Sequence, residues 1–239
     1  MAPWTQHVTI AWKRPLVSFV AETAGILEDL DGADLLRRYA VGEERVGAKI
    51  KDALHQIAFG PGYIEFSTLQ PDPDMDALTK AIDIVWKRLK PAEIRRVDPH
   101  FRFLTPASSG YDDARRGAGD YVTPMPKGAS NVDFAIVLDL ASEDPNGKIH
   151  VECGIVEQPE AAERLANRLP ALRHGVTLEP SLFPVKSLPD VAVFDYQAWR
   201  IADVELTTQE EALELWSRSQ HRAEEIDVAL SKRLLGETK

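Results

Sequence analysis

The stretch GPGYIEFSTLQPDPDMDALTKAI, residues 60–82, predicts a β-hairpin followed by a helix. Its opening Gly-Pro-Gly can reverse the chain, because glycine tolerates positive φ and proline fixes its own φ. The next seven residues alternate apolar and polar side chains, as a half-buried strand requires. An Asp-Pro pair can then start a helix that Pro91 ends, and its apolar residues recur at steps of three and four: Met75, Leu78, Ile82, Val85 and Leu89.

A second stretch with the same order of signals is GKIHVECGIVEQPEAAERLANRL, residues 147–169. An alternating apolar strand and an Asp-Pro-Asn-Gly turn precede it, and Pro159 opens its helix. Both stretches therefore run strand, tight turn, strand and proline-initiated helix. The sequence predicts an α+β protein with two pseudo-repeated hairpin-then-helix modules, at 54–90 and 131–169. Their hairpins are expected to form one or two antiparallel sheets with the helices on one face.

The remaining elements are predicted from shorter patterns. We expect strands at 7–12, 93–104 and 191–199, a short helix at 32–39, and a long C-terminal helix at 209–235. Thr208 and Glu211 have the spacing of a capping box at the start of that last helix.

These elements predict two α+β halves, 1–104 and 131–239, packed together as one compact unit. The stretch between them, 105–130, is rich in Gly, Ser, Pro and Asp and is predicted to be a long connecting loop. Because structureless connections of that length are uncommon inside a compact domain, a functional loop, a disordered segment and an unrecognised element all stay open.

The composition excludes several classes of protein. The 239 residues are 44% hydrophobic and 28% charged, which suits a sizeable folded core. A net charge of −10 repels phosphate backbones, so nucleic-acid binding is not expected. The sequence shows neither an apolar run of the ~20 residues that a membrane span needs nor a signal-peptide pattern. We therefore expect a cytoplasmic protein without a membrane partner.

The chain has a single cysteine, Cys153. One thiol cannot close an internal disulfide or build a Cys-rich zinc site, which agrees with a reducing compartment. The expectation is a protein with no cofactor and no bound metal.

Three patches suggest a relationship: WKRPLV at 12–17, GPGYIEF at 60–66 before a helix, and VAVFDYQAW at 191–199 before a helix that contains His221. On these patches the chain resembles a sporadically distributed prokaryotic family of functionally uncharacterised proteins, a numbered family of unknown function. Ser18 stands where that family's pattern has an acidic residue. Because the family has no accepted activity, the resemblance implies the architecture and no catalytic residues.

The densest basic cluster of this acidic chain begins in the strand at 93–104 and continues into the loop. Guanidinium groups bind carboxylates and phosphates through bidentate hydrogen bonds. Arg and Tyr are also enriched at protein interfaces. Neighbouring aspartates could instead neutralise the cluster in surface ion pairs. The predicted ligand or partner site consists of Arg95, Arg96, His100, Arg102, Tyr111, Arg115, Arg116 and Tyr121.

Two histidine motifs are incomplete. His7 and Thr9 match one half of the paired His-x-Thr signature of two-histidine phosphoesterases, but the sequence offers no second half. His150 and Glu152 match the start of the zinc deaminase signature, which also needs a downstream Cys-x-x-Cys that this chain lacks. Polar strand residues with no catalytic role are the favoured interpretation of both.

The sequence therefore favours a non-catalytic binding or interaction protein that recognises a protein partner or a small anionic ligand. A prokaryotic defence or toxin-associated setting would suit the partner hypothesis, and a homodimer stays open. The alternative is a metal-dependent phosphoesterase or nuclease, because carboxylates at strand ends can hold magnesium. Its candidate residues are Asp133, Asp139 and Asp195, with His150 and Glu152.

Overall fold

A computed structural model describes residues 2–50, 55–68, 75–120, 135–141, 147–166 and 187–236. In these ranges nine strands form one antiparallel sheet with the order β2-β3-β4-β5-β1-β6-β9-β8-β7. The strands are β1 (Thr5–Trp12), β2 (Leu36–Val41), β3 (Val46–Ile50), β4 (His55–Gly60), β5 (Tyr63–Thr68), β6 (Ile94–Pro106), β7 (Ala135–Ala141), β8 (Gly147–Glu157) and β9 (Val191–Leu206). The helices are α1 (Phe19–Gly32), α2 (Met75–Leu89), α3 (Tyr111–Asp120), α4 (Gln158–Ala166) and α5 (Gln209–Leu234). The predicted α+β class is confirmed.

One face of the sheet is apolar and carries the main core. Val8 pairs with Phe66 and Ile10 with Ile64, and these side chains share one hydrophobic cluster with α1, α2 and α5. Because side chains alternate along a strand, the residues between them point to the other face of the sheet. The sheet therefore has an apolar face under these three helices and a second face with a different composition.

The long helix α5 begins at the predicted capping box. The Thr208 hydroxyl accepts a hydrogen bond from the Glu211 backbone N–H at 3.2 Å, and the Glu211 carboxylate accepts one from the Thr208 N–H at 3.0 Å. These two bonds satisfy backbone donors that the first turn of a helix leaves unpaired. From there α5 runs for 26 residues and buries Leu215, Trp216 and Ala223 against the sheet.

Both predicted hairpins are present and each is followed by a helix. β4 and β5 turn through Pro61 and Gly62 before α2, and β7 and β8 precede α4. A Cβ on Gly60 would lie 2.9 Å from the Glu44 carbonyl oxygen, so this turn leaves no room for a side chain there. That the two modules are related repeats stays a prediction.

The expectation that the helices share one face of the sheet is wrong. α4 buries Ala161 and Leu165 against Leu104, Val156 and Phe194. By strand alternation these three residues lie on the face opposite the cluster under α5. The helices that follow the two hairpins, α2 and α4, therefore cover opposite faces of the sheet. The apolar side of α4 packs on residues at one end of β6, β8 and β9.

The predicted short helix at 32–39 is also wrong. The helix there, α1, spans Phe19–Gly32, and Asp34 follows it with a left-handed φ of 58°. β2 then pairs with β3 from Leu36 to Val41. Strand pairing determines the conformation of this segment, although its leucines have helical spacing.

The predicted loop at 105–130 contains regular structure in its described part. β6 continues to Pro106, and α3 occupies Tyr111–Asp120. Ala114 and Ala118, one helical turn apart, pack α3 against Cys153, Ile155, Val193 and Leu234. The buried anchors Ala114 and Ala118 are small, and Tyr111 packs beside them only partly buried, which is why the α3 sequence resembles a loop. Residues 121–130 lie outside the described ranges.

Among the described residues, no helix combines the length and apolarity needed to cross a membrane.

Candidate anion-binding cleft

The central strands place polar side chains in rows on the face opposite α5. One row crosses five strands and contains His7 on β1, His100 on β6, Ala198 on β9, His150 on β8 and Asp139 on β7. Each pair of neighbours in this row is a direct cross-strand pair, so their side chains rise side by side. Ala198 is the small member, and His100 and His150 flank it on the neighbouring strands.

A cleft of about 680 Å³ lies over this row. Its lining joins residues that are far apart in sequence, from β6, β7, β8 and β9. Besides Ala198 at its floor, the charged and imidazole side chains that line it are Arg96, Asp98, His100, Asp139, Lys148, His150 and Arg200.

Three cationic side chains give the cleft its charge. Arg96, Lys148 and Arg200 all line it, and the last two are exposed to solvent. Arg96 forms an ion pair with Asp98, whose Oδ2 lies 2.7 Å from the Arg96 Nε. Burial raises the pKa of Asp98 to about 6, although Arg96 and Arg200 act in the opposite direction. With that pKa Asp98 is still mostly ionised at neutral pH, so it offsets one of the three cationic charges.

His150 is held between two carboxylates. Its Nδ1 lies 3.0 Å from the Asp139 Oδ1, and its Nε2 lies 3.1 Å from the Glu152 Oε1. Ionised carboxylates only accept hydrogen bonds, so both ring nitrogens donate when the ring is an imidazolium. The hydrogen bonds to Asp139 and Glu152 accordingly raise the pKa of His150. This wall of the cleft favours a protonated ring.

His100 is held by a different type of partner. Its Nδ1 lies 2.8 Å from the hydroxyl oxygen of Tyr196, a residue in the neighbouring strand. The His100 and His7 rings meet edge to face with centroids 5.5 Å apart. The His7 Nε2 in turn lies 3.1 Å from the Thr9 Oγ1. His100 therefore stands between a phenol and a second imidazole, with no carboxylate in these contacts.

Arg102 lies beneath this site rather than in its lining. It is 1% exposed, donates to the Thr5 hydroxyl at 3.1 Å, and lies over the Tyr196 ring at 5.0 Å from its centroid. A buried guanidinium packed on an aromatic ring orients that ring. Arg102 thus supports Tyr196, which in turn contacts His100.

The structure divides the predicted basic cluster between several places. Arg96 and His100 line the cleft and Arg102 supports it, whereas Arg95 lines a different surface groove with Lys13 and Glu205. Sequence proximity grouped these residues. Alternation along β6 and the shift of pairing near Ile94 separate Arg95 from them.

The residues on α3 lie on the opposite face of the sheet, since α3 packs with Cys153, Ile155 and Val193. There Arg115 lies over the Tyr111 ring at 5.6 Å and pairs with Asp112 at 3.7 Å. Arg116 pairs with Asp113 at 3.6 Å. These side chains do not join Arg96 and His100, and Tyr121 lies outside the described residues. A binding role for them stays a prediction.

The residues of the metal-dependent alternative are separated as well. Asp139 lies on the cleft face, whereas Asp195 pairs with Cys153 and points under α5. In the described ranges no group of three His, Cys, Asp or Glu side chains is arranged so that it could hold a metal ion. Asp133 lies outside those ranges. Burial raises the pKa of the Cys153 thiol to about 12, so this cysteine is not a nucleophile at neutral pH.

Sequence reasoning missed Lys148, Tyr196, Ala198 and Arg200. The last three alternate along β9 as one face of a strand, and that pattern was available in the stretch DYQAWR. The sequence does not reveal the strand order β6-β9-β8. That order places Tyr196, Ala198 and Arg200 of β9 between His100 on β6 and His150 on β8.

Fold and site together define a class: an α+β protein whose single antiparallel sheet carries a basic, histidine-walled cleft opposite its main helical layer. Comparison with known proteins finds no matching family model and no matching curated protein. The resemblance to an uncharacterised prokaryotic family thus stays a prediction.

Proposed function

We propose that this chain binds a small anionic ligand in the cleft over Ala198. The observation that carries the proposal is the convergence of Arg96, Lys148 and Arg200 on one concavity of about 680 Å³ in a protein of net charge −10. Strands distant in sequence gather these three cations beside two imidazoles. Of the three, Arg96 pairs with Asp98, so Lys148 and Arg200 are the cations that the proposal depends on most.

The size and shape of the cleft favour a small ligand over a protein partner. Small-molecule sites are concave and typically occupy about 300–1,000 Å³, a range that includes this cleft. The alternative protein-binding surface on α3 has weaker support, because Arg115 and Arg116 already pair with acids on their own helix.

The arrangement also suggests how an anion would lie. Arg200 and Lys148 are direct cross-strand neighbours and rise on one side of the His100–Ala198–His150 row. An anion above Ala198 would meet these two cations on one side, with His100 and the carboxylate-bonded His150 on the two neighbouring strands. Charge-assisted hydrogen bonds of this kind are about twice as strong as neutral ones.

Titration with inorganic phosphate at constant ionic strength tests the proposal, with binding followed by calorimetry. Ala198→Leu fills the floor of the cleft without changing any charge, and Arg200→Ala removes one cation. We expect each change to weaken phosphate binding at least about tenfold, a loss of about 1.4 kcal/mol. Arg116→Ala removes an equal charge on the other face and should leave binding unchanged.

Equal affinity of the parent protein and Ala198→Leu would place any bound phosphate elsewhere. An effect of Arg116→Ala as large as that of Arg200→Ala would reduce the interaction to general surface charge. Either result contradicts a site over Ala198.

A further inference from the structure

The cleft carries negative charge where β7 and β8 form its wall. Asp139 lines it from β7, the edge strand, and Glu152 lies on the same face of β8, two residues beyond His150. Each of these carboxylates contacts one ring nitrogen of His150, at 3.0 and 3.1 Å. Two carboxylates around one imidazolium leave a net negative charge. This part of the cleft therefore attracts a cation rather than an anion.

The other side of the His100–Ala198–His150 row is positive. Arg200 and Lys148 rise there as direct cross-strand neighbours, and Arg96 lines the same cleft from β6. Asp98 offsets only one of these three charges through its ion pair with Arg96. The cleft thus presents groups of opposite net charge to a single ligand.

Asp139 has room for a second partner. Its side chain is 89% exposed, and in the described part of the chain its ion pair is with His150, through Oδ1. An ionised carboxylate has two oxygens and about four lone-pair positions for hydrogen bonds. Asp139 can therefore accept a hydrogen bond from a ligand while it keeps its contact with His150.

We propose that the ligand of this cleft is a small zwitterion, an anion that also carries a protonated amino group. Its anionic group lies over Ala198 beside Lys148 and Arg200, and its ammonium group donates to the Asp139 carboxylate. This inference rests on the proposed anion binding and specifies the class of ligand.

Strand spacing sets the distance between the two charges of the ligand. Ala198 pairs with His150, and His150 pairs with Asp139, so two spacings separate Ala198 from Asp139. At about 4.8 Å per spacing, their backbones lie about 9.6 Å apart. A hydrogen bond of about 2.8 Å to the carboxylate leaves roughly 7 Å between the charged groups of the ligand. With about 1.5 Å per bond, a linker of about three or four carbons suits this distance, and an α-amino acid is too short.

Calorimetric titration at constant ionic strength compares 3-aminopropyl phosphate with n-butyl phosphate, two probes of similar size that differ in an ammonium against a methyl group. We expect the amino probe to bind about two- to fivefold more tightly, the usual gain from one exposed ion pair. Asp139→Asn keeps an oxygen that accepts from His150 but removes the charge, so this preference should disappear. The affinity for n-butyl phosphate should stay equal or rise, because the variant removes a negative charge from the cleft.

Asp203→Asn is the matched control. Asp203 is an exposed acid on β9 that lines a different groove with Lys13 and Glu205, so its substitution removes an equal charge outside the cleft. This variant should keep the full preference for the amino probe. If it loses the preference as Asp139→Asn does, general surface charge explains the effect and the inference is overturned.

The remaining outcomes separate this inference from the binding proposal. Equal affinity for the two probes overturns the zwitterion and leaves the anion site over Ala198 intact. A preference that survives Asp139→Asn assigns the ammonium group to other residues and also overturns it. Co-sedimentation with phosphatidylethanolamine vesicles distinguishes a free zwitterion from a lipid headgroup, and capture by the vesicles overturns the assignment to a free small molecule. If neither probe nor inorganic phosphate binds, the proposed function itself fails.

Discussion

The two faces of the sheet use the same strands for different purposes. On β6, Phe101 is 0% exposed and packs in the core under α5, while its neighbour His100 points to the cleft. On β9, Gln197 and Trp199 face α5, while Ala198 forms the cleft floor. The face under α5 carries the main apolar core, while the opposite face combines a smaller apolar cluster under α4 with the exposed charges of the cleft. The candidate site is thus built on rigid strands rather than on a loop.

The apolar face also buries polar side chains, and among the buried strand residues that the structure describes Asp195 is the acidic one. Asp195 is 0% exposed under α5, where its Oδ2 accepts a hydrogen bond from the Gln197 Nε2 at 2.7 Å. Burial raises the pKa of Asp195 to about 7, against the effect of that bond, and nearby Asp227 adds to the rise. A carboxyl group in this position is favoured in its neutral form. The apolar face therefore tolerates Asp195 best when it is protonated.

The largest expected effect contrasts adjacent residues of β6. Phe101→Ala should lower the free energy of unfolding by about 3–5 kcal/mol, because it leaves a cavity in a fully buried cluster. His100→Ala removes a partly exposed ring and one hydrogen bond to Tyr196, so its cost should be about 1 kcal/mol. Urea denaturation measures both. Similar losses for the two variants would mean that the cleft face also carries the fold.

A smaller effect is expected at Asp195 and depends on pH. Between its ordinary pKa of 3.8 and its folded-state pKa of about 7, the folded protein holds a proton that the unfolded chain releases. The free energy of unfolding should therefore fall as pH rises from about 4 to 7, by at most about 1.4 kcal/mol per pH unit. Asp195→Asn removes the carboxyl group and with it this pH-dependent decrease in the free energy of unfolding.

Denaturation at two pH values checks that expectation. At pH 8 Asp195→Asn should be more stable than the parent protein by about 1–3 kcal/mol, and the difference should shrink near pH 4. Asp203→Asn, at an exposed position of the same strand, is the control and should show no such trend. A difference that is the same at both pH values would mean that Asp195 does not titrate in this range.

Local patterns predicted much of the fold but little of the site. The β4–β5 hairpin, α2 and the capped start of α5 depend on neighbours within a few residues, so alternation and helical spacing reveal them. The segment at 32–39 was misassigned because pairing with β3 outweighs its leucine spacing. α3 was missed because two alanines anchor it.

The cleft depends on contacts that no local pattern contains. His100 and Arg96 were candidates from the sequence, but Arg200 lies about a hundred residues further along the chain. It reaches Asp98 only because β9 pairs with β6 in a crossover order. The small size of Ala198 has meaning only once the imidazoles on both sides are known.

The smallest effect tests whether the two faces are independent. Thr208→Ala removes the side-chain cap of α5 and should cost about 1 kcal/mol of stability. Thr207→Ala removes only a hydroxyl contact of 3.4 Å to Glu211 and should cost less. Because α5 covers the apolar face alone, the NMR signals of the His100 and His150 rings and the affinity for phosphate should not change in either variant. A weaker affinity in Thr208→Ala would show that the order of α5 extends through the sheet to the cleft, and that the two faces act together.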